Sequence, residues 1–337
     1  MKYLVLVFSL LLAISLSAVV RTVDNNNPSA GQYSTVQAAI NASNNDDVIY
    51  VYPSNIVYAG FTVNRRMKIY GVGWHASTVN LRKTTISGTV DFTAGAEYSV
   101  LSGFAGNFYA YMNGVVGNVR LENCSFTAVD FNTVSSNASN YTISSCFFYG
   151  GGTYNNWIAH QSSQTGILIM NCIFTGTASI MSNASSNTTI INTFIQTTNK
   201  VFDNSNSIPN LRNNYIIATG YTGTNTFPSD PVIAFNMSST AIFPTGTTNQ
   251  NSIPLNTAFD TVNYRPIAGS PAINAGDPTS DYNDLDGSRN DIGAFGGPYP
   301  YRDNGFTPLP TITDVSGTLY TSPSQGLQIH VEAVSEH

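Results

Sequence analysis

Leu121-Glu-Asn123-Cys124-Ser-Phe126, Ile143-Ser-Ser145-Cys146-Phe-Phe148 and Ile169-Met-Asn171-Cys172-Ile-Phe174 are three copies of one motif. It continues as Ile190-Ile-Asn192-Thr193-Phe-Ile195 and Leu211-Arg-Asn213-Asn214-Tyr-Ile216. Counted between Cys124, Cys146, Cys172, Thr193 and Asn214, the steps are 22, 26, 21 and 21 residues. A period of this size, in Ile/Thr/Asn/Gly-rich sequence without helical patterning, marks a solenoid of short strands. The fourth and sixth residues of each copy alternate as one face of a strand, whereas the step from the first to the fourth breaks that period. The break predicts a one-residue corner at Asn123, Ser145, Asn171, Asn192 and Asn213. Asn tolerates the left-handed backbone of such a corner, and its amide can bond to the next copy.

Outward from the repeat, Val48–Tyr52 starts the stack and Pro53 ends that strand. Further strands are expected at Phe61–Val63, Met67–Val72, Thr84–Ile86, Val90–Phe92 and Tyr98–Phe104. Tyr33–Asn41 is the one helical stretch, with Ser34 placed to cap it, and it suits a lid over the first coil. Residues 1–18 combine Lys2, an apolar run and small residues, the pattern of a signal peptide too short to span a bilayer. The mature chain is therefore expected to be extracellular or at the cell surface, without a membrane span. Residues 19–300 form the solenoid, with a cap at about 33–44 and an Asp/Gly-rich closing segment at 270–298. Residues 301–337 form a β tail, in which Leu327, Ile329, Val331 and Ala333 alternate with polar residues. That apolar strand needs a partner, and self-association is one.

Charged residues are 9% of the chain, against roughly 25% in ordinary domains. A net charge of −6 without a Lys/Arg cluster excludes nucleic acid as a partner. The three cysteines, Cys124, Cys146 and Cys172, share one repeat position, which favours a buried thiol ladder over a disulfide or a metal site.

Thr35–Asn41, Asp47–Val51, Phe61–Val63 and Ile69-Tyr-Gly-Val-Gly73 resemble the opening of secreted right-handed parallel β-helix proteins of the pectate-lyase-like class. Ser270-Pro-Ala-Ile-Asn-Ala-Gly276 and Asp286–Gly297 resemble the closing motif of bacterial surface members. The resemblance implies an all-β, right-handed parallel β-helix. It fixes no activity, because this superfold carries lyases, hydrolases, adhesins and spacers. Members acting on acidic polysaccharides use carboxylates on one face of the central coils, with Ca²⁺ or as acid and base.

Between residues 98 and 200 the acids and bases other than Tyr and Cys are Arg120, Glu122, Asp130, His160 and Lys200. Glu122 and Asp130 with Arg120 are the least set from which a catalytic site could be built; a solvated surface pair is the plainer reading. Tyr154, Trp157 and His160 are a candidate sugar-stacking platform, with a buried Trp anchoring a long loop as the alternative. Trp74-His75 reads as a corner packed against the cap.

Asp277, Asp281, Asp284, Asp286 and Asp291 offer oxygen ligands for a structural calcium, or turns with Arg289 paired to an Asp. An EF-hand is excluded, since Arg289 and Phe295 fall at its glycine and closing positions when Asp284 is counted first. No cofactor is required by any of these motifs. The sequence therefore favours a non-catalytic module that binds a polysaccharide or cell-surface glycan. The alternatives are a lyase or hydrolase acting on acidic polysaccharide, and a self-assembling structural subunit.

Overall fold

The computed structural model describes residues 18–27, 30–74, 83–114, 116–134, 139–150, 156–159, 165–182, 187–203, 209–220, 227–228, 230, 232–302, 311–317 and 329–334. The signal peptide lies outside the described residues. Strands stack in parallel into three sheets, and the chain is a parallel β-helix. Sheet I has ten strands, from Val20–Val23 to Ile233–Ala234. Sheet II has six, from Ser125–Phe126 to Met237–Ser238, and sheet III has seven, from Tyr58–Val63 to Phe202–Asp203. A central coil runs from sheet I through the motif's corner into sheet II, then into sheet III.

The motif explains each part of this path. Its first residue points into the core from sheet I, where Leu101, Leu121, Ile143, Ile169, Ile190 and Leu211 stack in register. The third residue is the corner, with φ of 50° at Asn123, 51° at Ser145, 50° at Asn171, 47° at Asn192 and 58° at Asn213. One coil earlier Gly103 takes the same turn at φ 83°, and a Cβ there would collide with the Gly71 carbonyl. The sixth residue points inward from sheet II, and the rings of Phe126, Phe148 and Phe174 stack at 5.5 and 4.4 Å. Such pairs contribute about 0.5–1.5 kcal/mol beyond their buried area.

The fourth position is a buried donor site. Cys146 Sγ donates to the carbonyls of Ser144 (3.2 Å) and Leu121 (3.5 Å), and Cys172 Sγ to those of Met170 (3.3 Å) and Ile143 (3.5 Å). Thr193 Oγ1 donates to Ile191 (3.0 Å), and Asn214 Nδ2 to Ile190 (2.9 Å). Cys, Thr and Asn thus meet one need, a donor for carbonyls turned inward at the corner. All three cysteines are free and buried. Burial pushes the Cys124 thiol up to about 12, and pushes Cys146, beside the Cys172 thiol, well above its ordinary value.

The lid is shorter than the sequence suggests. The helix is Val36–Asn41, and Thr35, rather than Ser34, caps it by accepting from Ala38 N at 3.2 Å. Val36, Ala39 and Ile40 are buried against the first strands.

Residues 253–301 run as a strap along the outside of sheet II. Phe147, Ile173, Phe194, Tyr215 and Met237 project outward from that sheet in register, and Phe259, Ala272, Ile292, Ala294 and Tyr301 cover them. The Phe259 ring lies 4.5 Å from Tyr215 and 5.5 Å from Phe194, and burying a Phe of this kind contributes about 1.5–3 kcal/mol. Trp74 belongs here too: it stacks on Phe147 at 4.8 Å and meets Tyr301 at 6.2 Å, so the expected contact with the cap is corrected.

The strap is fastened to the corner asparagines. Asn171 Nδ2 donates to the carbonyls of Ala294 (2.9 Å) and Gly296 (2.8 Å). Asn192 Nδ2 donates to Asn290 Oδ1 (2.9 Å) and Asp291 O (2.9 Å), and Asn213 Oδ1 accepts from Asp277 N (2.8 Å). The expected corner-to-corner bond occurs from Asn213 Nδ2 to Asn192 Oδ1 at 3.4 Å; the amides of Asn171 and Asn192 serve the strap instead. Beyond the strap, Thr311–Gly317 and Ile329–Val334 pair as an antiparallel hairpin.

Two outcomes follow for stability. Asn192→Gly keeps the left-handed corner but loses the amide, and should cost about 1–3 kcal/mol in chemical denaturation. Asn192→Ala loses both and should cost about 1 kcal/mol more; equal losses would show that the corner conformation is not limiting. Cys146→Thr should be milder than Cys146→Val by about 1 kcal/mol, because only the first retains a donor. In the folded wild type all three thiols should resist alkylation until denaturant is added.

Candidate functional site

Among the described residues, aromatic and acidic side chains meet in register on two faces: on sheet I Tyr50 stacks on Tyr70 at 5.7 Å with Glu122 two strands further on, and sheet III presents a second row. Its strands repeat an apolar–polar–apolar triplet: Val90-Asp91-Phe92, Ala110-Tyr111-Met112 and Val129-Asp130-Phe131. The apolar members are buried in the core, so the alternation of a strand turns Asp91, Tyr111 and Asp130 to the opposite face. The register places them in line, Asp91 opposite Tyr111 and Tyr111 opposite Asp130. Two strand steps separate the acids, roughly 9.6 Å between Cα atoms.

The rest of the row supports these three. Asp91 accepts from Thr89 Oγ1 and from Asn113 Nδ2, both at 3.0 Å. The Tyr109 and Tyr111 rings stack at 6.1 Å, inclined by 27°, and both are half-buried. Asp130 is 5% exposed. Tyr109 and Tyr111 offer ring area for apolar sugar faces and Asp91 offers a carboxylate for sugar hydroxyls, whereas Asp130 is buried.

The sequence candidates distribute differently. Arg120 and Glu122 lie on a sheet I strand and form an ion pair, with Arg120 58% exposed; Asp130 lies on sheet III. The three therefore do not share a face, and the expected catalytic trio is corrected to a surface ion pair and a separate acid. Trp157 is fully buried, with its ring 5.5 Å from Phe174, so it cannot stack on a sugar. Its place on the strand Asn156–Ala159 makes it a core anchor. Tyr154 and His160 lie outside the described residues.

The acidic cluster belongs to the strap, where its carboxylates fasten turns. Asp277 pairs with Arg212 and accepts from Thr279 N at 2.9 Å. Asp284 accepts from the amides of Asp291 and Gly297, Asp286 from Ser288 N at 2.9 Å, and Asp291 from Asn274 N at 2.6 Å. Asp281 sits exposed in a short 3₁₀ turn, Ser280–Tyr282. Arg289 bonds the carbonyl of Gly276 at 2.7 Å, so the expected Arg289–Asp pair is replaced by Arg212–Asp277. Burial raises Asp284 to about 6, beside a shallow hollow of about 430 Å³ that Leu285 and Phe295 also line. Among the described residues no three His, Cys, Asp or Glu side chains gather as a metal-holding group.

Asp91, Tyr109, Tyr111 and Asn113 are the residues that sequence reasoning missed. Asp91 precedes the first copy of the corner motif, which begins at Leu121. The triplet recurring at steps of 20 and 19 residues, from Asp91 to Tyr111 to Asp130, was the available signal.

Among the described residues, no helix is long and apolar enough to cross a membrane. No model of a known protein family matches the chain, and no curated protein matches it. Among solved structures the chain is similar to one titled "Crystal structure of pectate lyase Pel9A", with 15% identity and a TM-score of 0.43, over 84% of this chain and 97% of that one.

Proposed function

We propose that this is an exported, non-catalytic carbohydrate-binding β-helix whose glycan lies across the outer face of sheet III. The observation that carries the reading is Asp91 in register with Tyr111, with the Tyr109 ring stacked beside it. A rigid sheet spaces these side chains one coil apart, so recognition needs little reordering on binding. Asn113 and Thr89 fix the Asp91 carboxylate, which orients its remaining lone pairs toward a ligand. The amino-terminal apolar segment supports export to the cell exterior.

Hydrolysis is the second reading, and one distance favours it. Two acids roughly 9.6 Å apart at Cα approach the separation used by inverting glycosidases, about 6.5–9.5 Å between carboxyl groups. Against it, Asp91 is tied by two neutral donors and Asp130 is almost wholly buried, which suits fixed acceptors better than a proton-shuttling pair.

The test is binding of purified protein to a polysaccharide panel, read by affinity electrophoresis and by the appearance of new chain ends. Tyr111→Ala should weaken retention about tenfold or more, while Thr142→Ala on sheet I should leave it unchanged. New ends that vanish in Asp91→Asn would make the protein a polysaccharide-cleaving enzyme, hydrolase or lyase, and end the non-catalytic reading. Retention untouched by Tyr111→Ala would remove this face from consideration.

A further inference from the structure

Sheet I carries its own aromatic and polar side chains on the outer face. Ile49, Ile69, Leu101 and Leu121 are buried in the core, so strand alternation turns the residues on either side of each outward. The register lines up Tyr50, Tyr70, Ser102 and Glu122 in one row, with Val48, Lys68, Val100 and Arg120 in the row beside it. The Tyr50 and Tyr70 rings stack at 5.7 Å, and Tyr50 is 39% exposed. Arg120, 58% exposed, pairs with Glu122 on its own strand, and Lys68 is exposed. Burial, and then the Glu122 carboxylate, push the Tyr70 hydroxyl above its ordinary value, which keeps it a neutral donor. Between Tyr70 and Glu122 in the row, Ser102 Oγ is buried. Buried hydroxyls are paired as a rule, and this one finds no hydrogen-bond partner among the described residues.

Resting on the glycan-binding reading above, we infer that this face is a second glycan site, so that the protein holds two sugar chains at once and cross-links them. The chemistry of sheet III recurs here, a stacked tyrosine pair with a carboxylate in register. The exposed part of Tyr50 offers ring surface to apolar sugar C–H groups. Glu122 and Arg120 lie side by side, so one accepts from a sugar hydroxyl while the other donates to the next, the pairing a vicinal diol presents. Lys68 adds ammonium donors in the same row as Arg120. Tyr70 and Glu122 stand two strand steps apart, roughly 9.6 Å between Cα atoms, which suits a short oligosaccharide segment lying along the stack. Sheets I and III are separate walls of the solenoid, so one such segment cannot lie flat on both. A rigid body with a site on each wall either grips one long polymer twice or joins two polymers.

Calorimetry with cellohexaose, mannohexaose, xylohexaose and hexagalacturonate gives the number of chains bound, and turbidity with the matching long polymers reads cross-linking. Expected, for at least one of these sugars, is two chains per protein and turbidity with its polymer. Tyr50→Ala should lower the number to one and abolish turbidity, while the remaining site keeps its affinity. Arg120→Ala serves as a second variant should Tyr50→Ala disturb the fold. Tyr111→Ala should have the same effect from the other wall, and the double variant with Tyr50→Ala should bind none. One chain per protein, lost in Tyr111→Ala and untouched by Tyr50→Ala and Arg120→Ala, overturns the inference and leaves the sheet III reading standing. Binding lost in Tyr50→Ala and untouched by Tyr111→Ala removes the sheet III reading, and the cross-linking with it. Failure of all four sugars overturns the glycan-binding reading and this inference together.

Discussion

A single residue in the left-handed region has to turn each central coil from sheet I to sheet II, and the rest of the molecule is arranged around that constraint. For an L residue this backbone costs roughly 1–2 kcal/mol, which favours Asn, Ser or Gly; these fill the corner from Gly103 to Asn213, and Phe235 takes it at φ 57° in the coil after. The sharp turn also swings carbonyls inward, and from Cys124 onward the next residue supplies a donor, which is why Cys146, Cys172, Thr193 and Asn214 interchange there. Only then can the aromatic residue two positions on stack in the core. A motif that looks like a cysteine pattern is, physically, a pattern of corner and donor.

The corner does a second task in the carboxy-terminal half. Asn171, Asn192 and Asn213 turn their amides outward, and the strap uses them as a row of fixed anchors. Ser145, with a shorter side chain, has no such reach. With sheet II covered in this way, sheets I and III are the faces that carry aromatic and acidic side chains, Tyr50, Tyr70 and Glu122 on the first and Tyr109, Tyr111 and Asp91 on the second.

Much of this was readable in the chain. The corner positions and the solenoid followed from the repeat, and the lid from the helical pattern of Tyr33–Asn41, because each depends on local backbone chemistry. The strap did not, since its bonds to the corners join residues 64 to 125 positions apart, and no local pattern encodes that pairing. Trp157 misled for a related reason: its neighbours suggest a loop, but burial against Phe174 is decided by the coil stacked next to it. Asp91 escaped because a ligand row runs across strands, and only the register reveals which residues share it.

A plain solenoid is a nearest-neighbour chain, in which each coil feels only the ones directly above and below and the ends can fray independently. The strap changes that arithmetic. By bonding to corners in three successive coils and covering outward side chains in five, it ties coils that share no direct contact. Melting one of these coils means releasing the strap from the others. The carboxy-terminal half should therefore behave as one cooperative block, like a laminated beam rather than a stack of loose rings, and hold its outer surfaces in register along the axis.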